Sequence, residues 1–143
     1  MSVLEDQIEI GAAPEVVWDR LHEVSAYPQF VDGVRGARRE GAHRARLDIE
    51  AGGRRRGCDA EFSDRGGGRV MMWHTTEGPD LEGAFSVRQL ADGGTEVQVR
   101  VRYDPDRTRE EFGGPRGFAQ SDAIHEMVHR DLERLKALVE RER

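Results

Sequence analysis

Ser121 and His125 lie four residues apart near the C-terminus, a spacing that puts them on one face of a helix. Histidine is the side chain best suited to moving protons near neutral pH, and a hydroxyl beside it would hold a polar ligand atom. His125 sits on the edge of an apolar stripe, Ile124, Val128, Leu132, Leu135 and Val139, so general acid–base work and simple packing are both open to it. His129 lies further round the same helix. His125 and His129 have the i, i+4 spacing of a metal pair, but no third ligand follows, and no metal site is expected. Cys58 is the single cysteine. It alternates with Ala60 and Phe62, so it reads as a small core residue and not as a reactive thiolate. No Ser-His-Asp pattern, phosphate loop or nucleotide fingerprint is present, and no cofactor is expected.

The elements that must position these residues follow from two hydrophobic rhythms. Thr95, Val97, Val99, Val101 and Tyr103 alternate with Glu96, Gln98, Arg100 and Arg102, the pattern of a half-buried antiparallel strand. Similar inward rows run through His43–Ala45–Leu47–Ile49, Arg56–Cys58–Ala60–Phe62, Met71–Trp73–Thr75 and Leu81–Gly83–Phe85–Val87, with turns at Gly52-Gly53, Gly66-Gly67-Gly68, Gly78-Pro79 and Asp92-Gly93-Gly94. Leu4, Ile8 and Ile10 share one face of a first strand, on which Asp6 is an awkward member. Pro14 suits the first turn of a helix carrying Val17, Trp18, Leu21 and Val24, which Tyr27-Pro28 breaks. A short helical turn at Gln29–Val31 is expected next. Asp104–Arg116 is charged and lacks a period, so it reads as a mobile connection. Residues 117–140 predict one helix about 36 Å long.

The chain has 143 residues, enough for a single domain over 1–143 with a real core. A net charge of −6 argues against nucleic acid as the main partner. The arginine-rich stretch from Arg35 to Arg56 reads as a solvated sheet face. No apolar run reaches the roughly 20 residues of a spanning helix and no signal peptide is apparent, so a soluble cytoplasmic protein is the default.

Three stretches in this order resemble the START-like (SRPBCC) superfamily, in its polyketide cyclase/dehydrase and coenzyme-Q-binding branch. They are IGAAPEVVWDRLHEVSAYPQF from Ile10, WHTTEGPDLEG from Trp73, and the set Gly94–Val97, Tyr103-Asp104-Pro105 and Asp131–Lys136. The resemblance implies an α+β helix-grip fold. A bent seven-stranded antiparallel sheet would wrap around the long C-terminal helix, in the order β-α-α-β6-α, with a cavity between them. It implies a hydrophobic, oxygen-bearing small-molecule ligand. The leading expectation is a polyketide cyclase/dehydratase of the aromatase/cyclase kind, with a non-catalytic lipid, quinone or antibiotic carrier as the alternative. Polyketide synthase components are further expected partners, and the chain would be a monomer or homodimer. Aligned with aromatase/cyclases, a pocket arginine falls at Glu61 and a pocket tyrosine at Val34. Arg56, on an inward row, and His125 are then the nearest groups that could compensate, and Tyr27 could orient a ketone oxygen. His125, Arg56 and Tyr27 are thus the candidate catalytic residues. Trp73, Met71, Phe85, Tyr103, Ser121, Phe30 and Val34 are the candidate ligand-binding residues.

Overall fold

The computed structural model describes residues 1–65, 68–77 and 80–142. The turns expected at Gly66-Gly67 and Gly78-Pro79 lie outside the described residues. The alternating segments form seven strands: β1 (Ser2–Ile10), β2 (Val34–Arg39), β3 (Arg44–Ala51), β4 (Arg54–Arg65), β5 (Arg69–Glu77), β6 (Leu81–Gln89) and β7 (Thr95–Tyr103). They make one sheet in the order β1-β7-β6-β5-β4-β3-β2, with every neighbouring pair antiparallel. Register keeps each apolar row on the same face. Ile8 stands opposite Val97, Phe85 opposite Val99, Met71 opposite Phe85, Phe62 opposite Trp73 and Leu47 opposite Cys58. A one-residue slip anywhere would turn a row to water. Register shifts at Val34/Gly36 and Asp59/Ala60 bend the strands that carry them.

Helix α1 (Pro14–His22) opens with Pro14 and buries Val17 and Leu21. It ends earlier than its apolar stripe suggests. Val24–Gln29 is a 3-10 turn that contains Pro28, in place of the helical turn expected at Gln29–Val31. The short i→i+3 geometry carries few ladder bonds for a proline to break.

The connection after β7 is also not the irregular segment expected. Pro105–Phe112 forms helix α2. Asp104 accepts hydrogen bonds from the Asp106 and Arg107 N–H groups at 3.0 and 3.2 Å, Pro105 fills the first turn, and Gly113 ends the helix at φ +74°. The caps were in the sequence, but only Phe112 is buried, so the helix has no stripe for periodicity to find. Its C-terminal end is seated on the β3–β4 hairpin. A Cβ at Gly52, itself at φ +60°, would come within 2.2 Å of the Phe112 carbonyl oxygen, so only glycine lets α2 dock there.

Helix α3 (Gly117–Arg141) lies across the sheet and packs on β1 and α1. Leu132, Leu135, Leu138 and Val139 are buried with Ile10, Val17, Leu21 and Val97 in the main core. Leu135 is fully enclosed. Leu135→Ala is expected to cost about 3 kcal/mol of unfolding free energy, read from the shift in the urea midpoint at unchanged slope.

Candidate functional site

The two halves of α3 grip the sheet unequally. Its C-terminal half buries every apolar residue that points inward, whereas Ile124, Met127 and Val128 in the N-terminal half remain half-exposed. The sheet opposite is also incompletely covered, since Leu47, Trp73 and Val101 on the inward rows are half-buried. The apolar surfaces of helix and sheet are thus less completely covered here than around Leu135. The register of β1 locates the N-terminal half of the helix. Lys136 Nζ donates to the Glu9 carbonyl at 2.9 Å and the Gly11 N–H to Glu140 at 2.8 Å, so the C-terminal half lies over the end of β1. The N-terminal half therefore lies toward Ser2, which pairs with Tyr103. Phe118, 91% exposed, stands at the start of α3.

Trp73, half-buried on β5, is set by the strand beside it. A Cβ on Gly83 would lie 2.5 Å from the indole Cζ2, so the ring occupies the space that glycine leaves on the neighbouring strand. Met71 and Phe85 pair across β5 and β6 and are buried, forming the next inward pair on the same strands. Tyr103, Phe30 and Val34 are buried as well. The Ser121 hydroxyl turns back to the Gly117 carbonyl at 3.4 Å. Tyr27 donates its hydroxyl to the Leu21 carbonyl at 2.7 Å and stacks at a tilt on Phe30, and burial raises its pKa. Arg56 shares the inward parity of Cys58, but its side chain is half-exposed and pairs with Glu111 of α2 at 2.9 Å. Trp73, Met71 and Phe85 thus come together; Tyr27, Arg56 and His125 are in three separate places.

His125 lies on the flank of α3 beside β1. Its Nε2 is 3.7 Å from Oδ2 of Asp6. The same carboxylate oxygen is 2.8 Å from Nδ1 of His129, whose Nε2 is 2.9 Å from Glu133. The hydrogen bond to Asp6, followed by that carboxylate's charge, raises the His129 pKa above the ordinary histidine value. Asp6 had a signal in the sequence, since it interrupts an apolar row. Asp131 had none. Its carboxylate accepts from the Asp32 N–H at 3.2 Å and from Arg134 at 3.0 Å, joining α3 to the loop before β2, and burial pushes its pKa up to about 6.

Glu61 alternates with the inward Ala60 and Phe62 and faces away from the side of the sheet that α3 covers, 3.5 Å from His74. Its acidity therefore says nothing about that side. Burial raises the Cys58 thiol to about 11, in keeping with a core residue. The arginine stretch is largely ion-paired, as in Arg46–Asp59 at 3.1 Å and Arg55–Asp48 at 3.2 Å. Two hollows lie elsewhere. A groove of about 550 Å³ runs between Ala13, Val16, Leu90 and Lys136, and one of about 190 Å³ lies at His43, Glu61 and His74. Neither contains a candidate site residue. No helix among the described residues is long and apolar enough to cross a membrane.

A long C-terminal helix packed across a seven-stranded antiparallel sheet defines a START-like domain. Residues 1–140 match the family described as polyketide cyclase/dehydrase and lipid transport, and the chain belongs to it. An uncharacterized 17.2 kDa protein of the melC2-rnhH intergenic region of Streptomyces lincolnensis is 26% identical over 98% of this chain and 91% of its own. A START superfamily protein from Mycobacterium smegmatis superposes with a TM-score of 0.80 at 17% identity, covering 99% of both chains. The Zhui aromatase/cyclase from Streptomyces sp. R1128 gives 0.76 at 16% identity, over 98% of this chain and 94% of its own.

Gly83→Ala is expected to destabilise by about 2 kcal/mol, because the Arg100 carbonyl oxygen would lie only 2.6 Å from the new Cβ and cannot swing away. The indole must move too, so the tryptophan emission maximum should shift. For Asp131, the folded pKa lies above the unfolded one. Its contribution is therefore complete below about pH 4 and is lost as pH rises through about 6. A ¹³C titration of the Asp131 carboxyl should show its midpoint near pH 6, and Asp131→Asn should flatten the fall in stability over that interval.

Proposed function

We propose that this protein binds an apolar, oxygen-bearing small molecule, of polyketide or lipid character, in a cleft between α3 and the sheet. One observation carries the reading: the apolar stripe of α3 continues past its buried half to a half-exposed Ile124 and Val128, while Trp73 and Val101 on the inward rows of the sheet are likewise only partly buried. Apolar surface left partly uncovered on both elements suits a removable guest. The membership of a family that includes lipid transport supports it. The polar side chains that could act on such a guest are mostly spent on the protein itself. Tyr27 is bonded to Leu21, Arg56 to Glu111, and the Thr75 hydroxyl both donates to and accepts from the Leu81 backbone. That balance favours holding a ligand over transforming it.

Cyclisation and dehydration of a poly-β-ketone is the second reading. It is favoured by the half-exposed imidazole of His125, held near a carboxylate where the helix is less covered. The cleft would supply a folded ligand conformation, and His125 would move the protons. Titration with an aromatic polyketide and with a long-chain fatty acid, read by tryptophan quenching, tests the binding reading. Read by titration calorimetry, which does not need the indole, Trp73→Leu should weaken binding about tenfold, equivalent to about 1.4 kcal/mol. No saturable quenching by either class, with the fold intact, would overturn it. Turnover of a poly-β-ketone by wild type, lost in a folded His125→Ala variant that still binds, would establish the catalytic version.

A further inference from the structure

One flank of α3 carries a polar seam along β1, and the two ends of that seam are built from different groups. At the closed end, Lys136 donates to the Glu9 carbonyl and to Glu140, which in turn accepts from the Gly11 N–H. This end is tied to the backbone at the end of β1 from both partners of an i, i+4 ion pair. At the open end, the positions about two and three turns earlier on the same flank are His129 and His125, and both converge on Asp6. Imidazoles gain and lose charge in the neutral range.

We propose that Asp6, His125 and His129 form a protonation-dependent latch. When the imidazoles are charged, it holds the N-terminal half of α3 on β1; when they are neutral, it lets that half lift, with the Lys136–Glu140 end as the fixed hinge.

The geometry gives the latch its leverage. Asp6 is the acidic member of an otherwise apolar row, with a side chain only 15% exposed, and Val99 is its register partner on β7. Its Oδ2 meets the two histidines, and its Oδ1 accepts from the Gln7 N–H at 2.8 Å. Glu133, the other charged group facing His129, reinforces the imidazolium at 2.9 Å. Asp122, Glu126 and Arg130 are exposed on the same stretch of helix. At its very start this half of α3 is tied to α2 by the buried Gln120, whose Nε2 donates to the Pro105 carbonyl at 2.9 Å. Between that anchor and Leu132, its apolar residues Ile124, Met127 and Val128 are only half-buried, so the latch is what fastens residues 121–130. The sign follows from His129, whose pKa is raised in the folded state. The latch is complete below the ordinary histidine value of about 6.5 and is lost as pH rises through the higher folded value. The cleft mouth is then tighter in mildly acidic solution and looser in mildly alkaline solution. That consequence for ligand traffic rests on the binding reading above; the latch does not, and its test reads the helix directly.

Amide hydrogen exchange on the whole chain at about pH 6 and about pH 8.5, corrected for intrinsic exchange rates, is the measurement. Protection of residues 121–130 should fall roughly threefold or more between the two, while residues 132–139 stay unchanged. Asp6→Asn keeps the shape and removes the charge, so protection of 121–130 should be low at both pH values. His129→Gln gives the same readout by the other partner if the first variant does not fold. Wild-type protection independent of pH, or an Asp6→Asn variant that keeps the wild-type dependence, would overturn the latch.

Discussion

Burial of Leu132, Leu135, Leu138 and Val139 against the inward rows of the sheet is the interaction on which the molecule depends. A single antiparallel sheet with one apolar face cannot stay folded with that face in water, and α3, α1 and the 3-10 turn with Val24 and Phe30 cover it. Four fully or nearly fully buried aliphatic side chains, each stabilising by about 1.5–3 kcal/mol, fasten the C-terminal half of α3 strongly enough that the N-terminal half need not contribute equally. Because the grip is localised, Ile124, Met127 and Val128 stay half-exposed.

That localisation shapes the chemistry along the helix. Where the helix is tightly packed, its flank is tied to the backbone at the end of β1 through the ion-paired Lys136 and Glu140. Where it is loosely packed, the contacts become His125 and His129 on Asp6. Exposed ion pairs contribute little to global stability. They weigh more on a segment whose apolar contacts are incomplete, because there a small free energy decides between two positions of the same helix.

The fold was legible in the sequence because its signals are periodic. The five strand rows and the α3 stripe each repeat often enough to specify face and register, and the register places them on one side of the sheet. The elements that escaped are those with no apolar stripe. Helix α2 is defined by Asp104 and Gly113 at its ends and by a glycine, Gly52, in a distant hairpin. The 3-10 turn runs through Pro28, which reads as a stop signal. The candidate site was legible only as apolar wall. Trp73, Met71 and Phe85 follow from parity, whereas Arg56 shows why parity alone misleads. A long side chain at a strand's end can leave its row for a partner such as Glu111 on an element that periodicity did not reveal.

Asp6 shows the complementary case. A carboxylate in an apolar row costs free energy unless something offsets its desolvation, so its presence implies a partner in the layer above. The sequence holds that partner 119 and 123 residues away, at His125 and His129, and only folding brings the three together. The same reasoning separates a carrier from a catalyst in this fold. A wall that only shelters a guest keeps its polar atoms bonded internally, as Tyr27 and Thr75 do here. A wall that reacts with its guest must leave an acid or base incompletely satisfied until the guest arrives. Among the candidate catalytic residues, His125 comes nearest to that condition, 3.7 Å from its carboxylate and half in solvent. The strand–helix seam, and not the apolar floor, is therefore where chemistry and regulation would have to meet.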